Sequence, residues 1–215
     1  MFRRLVLGVL TSGMIAVSGC TALGVAAYKL AGPPPNPAMY TPAKTPMLVL
    51  VENYQQQTAV NAQADMLTRQ LFGAMEAHDV APMVALEKLQ ELKDAKPVEF
   101  PTMPINRIGQ EVQATQILYV ELKGSETHAL VGGEGFQGQA SAVVKIVDAA
   151  TGDTLWPTDV GGGYPVSAAT KIGKDSDATP MAVQQKLYAK LADDISKLFY
   201  KWKPDDMTPD DFLEK

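Results

Sequence analysis

Apolar and polar positions alternate with different periods along the chain, and the changes of period mark its segments. Leu5–Tyr28 has no charged residue. Gly32–Pro46 has no period and carries Pro33, Pro34, Pro35, Pro37, Pro42 and Pro46, so it cannot join a helix or a central strand. Met47-Leu48-Val49-Leu50-Val51 is a continuous apolar run, short enough for a strand buried on both faces. Val60, Ala64, Leu67, Leu71 and Met75 then recur at helical spacing and predict an amphipathic helix over roughly 59–77. Val80–Val84 is a brief apolar piece, and Leu86, Leu89 and Leu92 predict a second helix ending by Lys96-Pro97. Pro104 opens a third, with Ile105, Ile108 and Val112 on one face.

From Gln116 the period shortens. Gln116–Leu122 reads as a strand, and Ser141–Asp148 alternates Ala142, Val144 and Ile146 against Lys145, the mark of a half-buried antiparallel strand. Asp148–Asp153 is turn chemistry with Gly152 supplying positive φ, and Thr154-Leu155-Trp156 is the return strand. Thr179-Pro180 caps a last helix whose stripe is Val183, Leu187, Leu191, Ile195 and Leu198. The expected fold is α/β: one sandwich domain over 47–203 with a mixed sheet and amphipathic helices mostly on one face.

The ends of the chain carry the chemistry. Arg3 and Arg4 precede an apolar stretch, Leu5–Val17, of the length of a secretion-signal core, and it ends in Val17-Ser18-Gly19-Cys20. Cys20 is the chain's single cysteine, so its thiol has no internal disulfide partner. The four residues resemble the bacterial lipobox: an aliphatic residue, two small ones and Cys. That resemblance implies diacylglycerol on the Cys20 sulfur and cleavage before it, so that 1–19 is the signal peptide and 20–46 a lipidated, Pro-rich tether. Extended at ~3.1 Å per residue, Gly32–Pro46 reaches about 45 Å. The charge-free stretch is also long enough for an uncleaved signal anchor. Both readings put Arg3 and Arg4 inside and the domain outside. Thr21 stands where an Asp would mark inner-membrane retention, which favours the periplasmic face of the outer membrane.

Two further segments resemble one envelope family. Ile108–Val120 is a helix ending in a small residue and entering a strand. Val144-Lys145-Ile146-Val147-Asp148-Ala149-Ala150-Thr151-Gly152-Asp153-Thr154-Leu155-Trp156 is similar to its aliphatic-Val-Asp-x-x-Thr-Gly-x-x-Leu-Trp hairpin. The family comprises the amino-terminal domain of TolB, the curli-secretion lipoprotein CsgG and the penicillin-binding-protein activator LpoB. The resemblance covers roughly Met47–Tyr200 and implies a periplasmic interaction module without catalysis. The long hairpin insertions of the curli channel and the propeller repeats of TolB are departures from it.

Composition narrows the partners. The formal charge of −5 includes the two leader arginines, and no Lys/Arg cluster offsets it, which disfavours nucleic acid. Gly133-Glu134-Gly135-Phe136-Gln137-Gly138 matches G-x-G-x-x-G, but a strand rather than a helix follows it, so it reads as a hairpin connection and not a dinucleotide site. His78 and His128 have no metal-spaced neighbours. No metal, cofactor or catalytic residue is expected. Pro204–Lys215 is an acidic tail, expected to be disordered, whose Met207, Phe212 and Leu213 are the candidate anchors for docking on a partner. The expected function is a membrane-anchored protein-interaction module, accessory subunit or activator of an envelope assembly. The alternative is a self-assembling component of an export channel, and an enzyme stands third.

Overall fold

The computed structural model describes residues 34–53, 61–132, 135–173 and 179–204. Five strands form one mixed sheet: β1 (Met47–Glu52), β2 (Gln116–Ala129), β3 (Gly135–Asp148), β4 (Thr154–Trp156) and β5 (Tyr164–Gly173). β1 runs parallel to β2, in register from Met47↔Gln116 to Glu52↔Glu121. β3 is antiparallel to β2, and its other edge is shared by β4 at Ile146–Val147 and by β5 from Gly135 to Val144. Four helices complete the layers: α1 (Ala62–Ala77), α2 (Leu86–Ala95), α3 (Ile105–Glu111) and α4 (Pro180–Ser196).

The capping chemistry places the long helices. Asn61 accepts the Ala64 N–H at 3.2 Å and Thr179 accepts that of Ala182 at 3.1 Å, which fixes the starts of α1 and α4. Their stripes pack on one sheet face: Leu67, Leu71, Leu187, Leu191 and Ile195 lie against Val49, Leu118, Val120, Ala142 and Val144 in the larger core. The opposite residues of β1 and β2, Leu48, Leu50, Ile117 and Tyr119, meet Leu89 and Leu92 of α2 and Ile108 of α3 in a smaller core. The long pair thus shares a face, and the two short helices cover the β1–β2 end of the other.

Two elements differ from the sequence expectation. The β2–β3 hairpin runs well past Leu122 and begins again at Gly135, and β5 stands where no strand was read. Gly135, at φ +125°, closes the far end of β3: a Cβ there would lie 2.0 Å from the Ile172 carbonyl oxygen. At the near end Gly152 (φ +84°) turns β3 into β4, while the Asp148 carboxylate accepts the Ala150 and Thr151 N–H groups at 2.7 and 2.9 Å. Those donations hold the Asp148 carboxyl below its usual range, the Thr151 N–H first and the Ala150 N–H next.

The sequence predicts a spacer as far as residue 46; from Asn36 onward the chain lies on the domain. Asn36 and Trp202 exchange both backbone hydrogen bonds (2.7 and 3.2 Å), and the Met39 and Tyr40 N–H groups donate to the Leu198 carbonyl at 2.8 and 3.1 Å. Proline removes donors but not acceptors or apolar surface, so a proline-containing strap docks where neighbouring residues supply the N–H groups. A chain beginning at Thr45 is accordingly expected to fold but to melt about 5–15 °C below one beginning at Pro34. That range follows from losing a few hydrogen bonds at about 1 kcal/mol each. Equal melting temperatures would show that the strap contributes nothing.

Candidate functional site

The site is the pole of the domain where β1 begins, β3 ends and α4 terminates, because Asn36 and Trp202, near the two ends of the described chain, meet there. α4 runs toward this pole: Val183 and Leu187 in its first half lie over Gly138, and Phe199 just beyond its end meets Trp156. Trp156 is the hub of an aromatic cluster, with Tyr164 at 5.3 Å, Phe199 edge-on at 5.5 Å and Tyr40 of the strap stacked at 6.2 Å between centroids. Tyr200 stacks on His78 at 3.8 Å, and Lys197, nearly buried, pairs with Asp193 at 2.6 Å and holds its ammonium 5.0 Å from the Trp202 ring. Tyr200 and Trp202 thereby pack the segment that follows α4 onto the domain.

Gln116, the first residue of β2, fixes the other end of the strap. Its side-chain amide donates to the Ala43 carbonyl at 2.6 Å and the Thr45 carbonyl at 3.1 Å, and its Oε1 is buried without a hydrogen-bond partner among the described residues. The Thr115 N–H and hydroxyl both donate to the Pro46 carbonyl. Lys44 pairs with Asp79 at 3.0 Å on the surface, where such a pair contributes little.

The far pole is the tip of the β2–β3 hairpin. Fourteen residues of β2 at ~3.3 Å each place it about 45 Å from the base. Val131 is fully exposed there. Between the poles, the part of the second sheet face that α2 and α3 leave uncovered presents Gln139, Ser167 and Lys171 to solvent. Near the α3 end a shallow depression of about 310 Å³ is lined by Arg107, Gln110, Glu111 and Gln113. The Lys96 ammonium at 2.8 Å, and Arg107 behind it, hold the Glu111 carboxyl below its ordinary range. Glu111 is thus an ion-paired carboxylate, charged at neutral pH, not one poised to take a proton.

Of the residues singled out from sequence, Val17, Ser18, Gly19 and Cys20, and the tail anchors Met207, Phe212 and Leu213, lie outside the described residues. The glycine motif falls at the hairpin, with Gly135–Gly138 inside β3 and residues 133 and 134 undescribed. His78 follows α1 as its C-cap, and His128 faces Glu126 at 3.0 Å on β2. Among the described residues no three His, Cys, Asp or Glu side chains are grouped to hold a metal, and no helix is long and apolar enough to cross a membrane. Sequence reasoning missed the strap clamp. Its one local signal was Tyr40, an aromatic residue inside a proline-rich run.

No family model matches the chain, and no curated protein matches its sequence. Solved structures similar to it include dodecameric PelC from Paraburkholderia phytofirmans, 13% identical, covering 78% of this chain and 95% of that one with a TM-score of 0.41. Lipoprotein GNA1162 from Neisseria meningitidis is 16% identical over 71% of this chain and 98% of its own, with a TM-score of 0.43. The C-terminal domain of LpoB from Salmonella enterica is 18% identical over 60% and 84%, at 0.37. Several of the similar structures are bacterial lipoproteins.

Because Trp202 closes the fold before the tail begins, deleting Asp205–Lys215 is expected to move the melting temperature by no more than about 2 °C. A larger drop, read by differential scanning calorimetry, would make the tail a structural element.

Proposed function

We propose that the chain is a lipoprotein of the cell envelope, anchored through Cys20, whose α/β domain binds protein partners and performs no catalysis. The observation that carries this reading is the leader: two arginines, an apolar core and Val17-Ser18-Gly19 end at the chain's single cysteine. The strap supports it, because it brings Asn36 and Trp202, the residues next to the leader side and the tail side of the domain, to one pole and leaves the hairpin tip at the other. The placement is the periplasmic face of the outer membrane, on the identity of Thr21. The closer kinship is with the TolB amino-terminal, CsgG and LpoB group, on the segments Ile108–Val120 and Val144–Trp156. The role is that of an accessory subunit or activator of an envelope assembly.

The test is site-specific photo-crosslinking of the full-length protein in intact cells, with probes at Gln139, Ser167 and Val131. A discrete adduct with one envelope protein is the expected result. A ladder of adducts with further copies of this chain would favour the self-assembling channel component instead, and the absence of any adduct from all three positions would contradict both.

A further inference from the structure

The strap is shallow for a segment held at so many points. From Asn36 to Pro46 only Pro42 is buried, and Met39 is 53% exposed, whereas every residue of Met47–Val51 is buried. Its holds are also arranged in series. In chain order they are the Asn36–Trp202 bridge, the two N–H groups on Leu198 with Tyr40 on Trp156, the Gln116 amide on Ala43 and Thr45 with the Lys44–Asp79 pair between, and the Thr115 donors on Pro46. A load applied upstream of Asn36 therefore meets these holds one at a time, as a peel. Beyond Pro46 the arrangement changes: Met47 donates to the Pro82 carbonyl and accepts from the Val84 N–H on one edge, while β1 pairs with β2 on the other. Peeling stops at β1.

The geometry points to a latch: Asn36–Pro46 is a releasable strap that sets how far the domain stands from its anchor. This rests on the reading that the chain is anchored upstream, through Cys20. With the strap closed, the sixteen residue steps from Cys20 to Asn36 can span at most about 55 Å. Opening the strap to Pro46 adds roughly 35 Å of reach without unfolding the sheet. Release also uncovers Trp156 and Trp202, the protein's two tryptophans, so opening changes intrinsic fluorescence directly.

The test uses the full-length protein bound to phospholipid vesicles and follows amide hydrogen exchange together with tryptophan quenching by acrylamide. The Met39 and Tyr40 amides are expected to exchange at least about 100-fold faster than those of Leu118 and Val120, through an opening that leaves the sheet intact. Gln116→Ala and, independently, Tyr40→Ala are expected to speed strap exchange and raise acrylamide quenching, with the exchange of Leu118 and Val120 unchanged. Tyr40→Ala alters only the strap, so it keeps the test valid should Gln116→Ala misfold. Strap amides as protected as those of Val120, or unmoved by Tyr40→Ala, would overturn the latch and make the strap part of the core. Flotation of the same sample separates the two readings: protein that fails to float with the vesicles contradicts the anchor, whatever the exchange shows.

Discussion

Cys20→Ala is expected to move the protein out of the washed membrane fraction almost completely, with at least a tenfold fall in the fraction that floats with vesicles. The cause is the chemistry of the anchor. Each methylene of an acyl chain contributes about 0.8 kcal/mol on entering the bilayer, so two or three chains hold a protein there essentially permanently. Alanine has no sulfur to carry diacylglycerol, and without that group a lipoprotein peptidase has no substrate. Among the described residues no helix is long and apolar enough to cross a membrane. The outcome also separates the two readings of the leader. A variant that stays in the membrane with its leader intact, behaving as the wild type does, would mark Leu5–Tyr28 as a signal anchor, with the cysteine incidental.

The second large effect is expected in the core. Leu187 is fully buried in the larger cluster, in the half of α4 that crosses β3. It packs at a place made for it by the absence of a side chain: a Cβ on Gly138 would stand 3.2 Å from Leu187 Cδ2 and 3.0 Å from Val183 Cγ1. Leu187→Ala removes buried methyl groups and leaves a cavity between α4 and β3, a loss of about 2–5 kcal/mol. For a domain of this size that corresponds to roughly 5–15 °C in melting temperature. The complementary change, Gly138→Val, overfills the same contact and is expected to cost about 1–3 kcal/mol. A denaturation midpoint unchanged in both variants would mean that α4 does not pack on β3 as described.

Those two residues illustrate what could be read from the sequence. The stripe from Val183 to Leu198 has a strict helical period and a Thr-Pro start, so α4 was legible to its cap; the same holds for α1, apart from its first turn. The Asp148–Asp153 turn was legible because Asp and Gly at fixed offsets do one local job. β5 was not. Tyr164–Gly173 alternates small and polar residues, including Ser167, Ala169 and Lys171, and only the pairing with β3 makes it a strand. The outer half of the β2–β3 hairpin escaped for the same reason: Glu126, His128, Gln137 and Gln139 face outward on the open side, and Gly138 contributes no side chain to mark the inner one. Strand identity there belongs to the partner strand, not to the local sequence.

The site divides in the same way. The proposed lipid attachment at Cys20 rests on a local signal, readable from four residues and what precedes them. The clamp that receives the tether is made by residues 166 positions apart, Asn36 and Trp202, through their backbones. No side-chain pattern encodes such a pair, and the prolines around Asn36 argue against it until the acceptors on Leu198 and the donors of Gln116 are in place. The consequence is functional, since the domain begins at Asn36 rather than Met47 and the tether ahead of it is correspondingly shorter.

The most direct measurement is the mass of the amino-terminal peptide of the full-length protein purified from its own membranes. The account predicts a chain that begins at Cys20, its sulfur carrying diacylglycerol and residues 1–19 gone. A peptide that still begins at Met1, with an unmodified thiol at position 20, would contradict it.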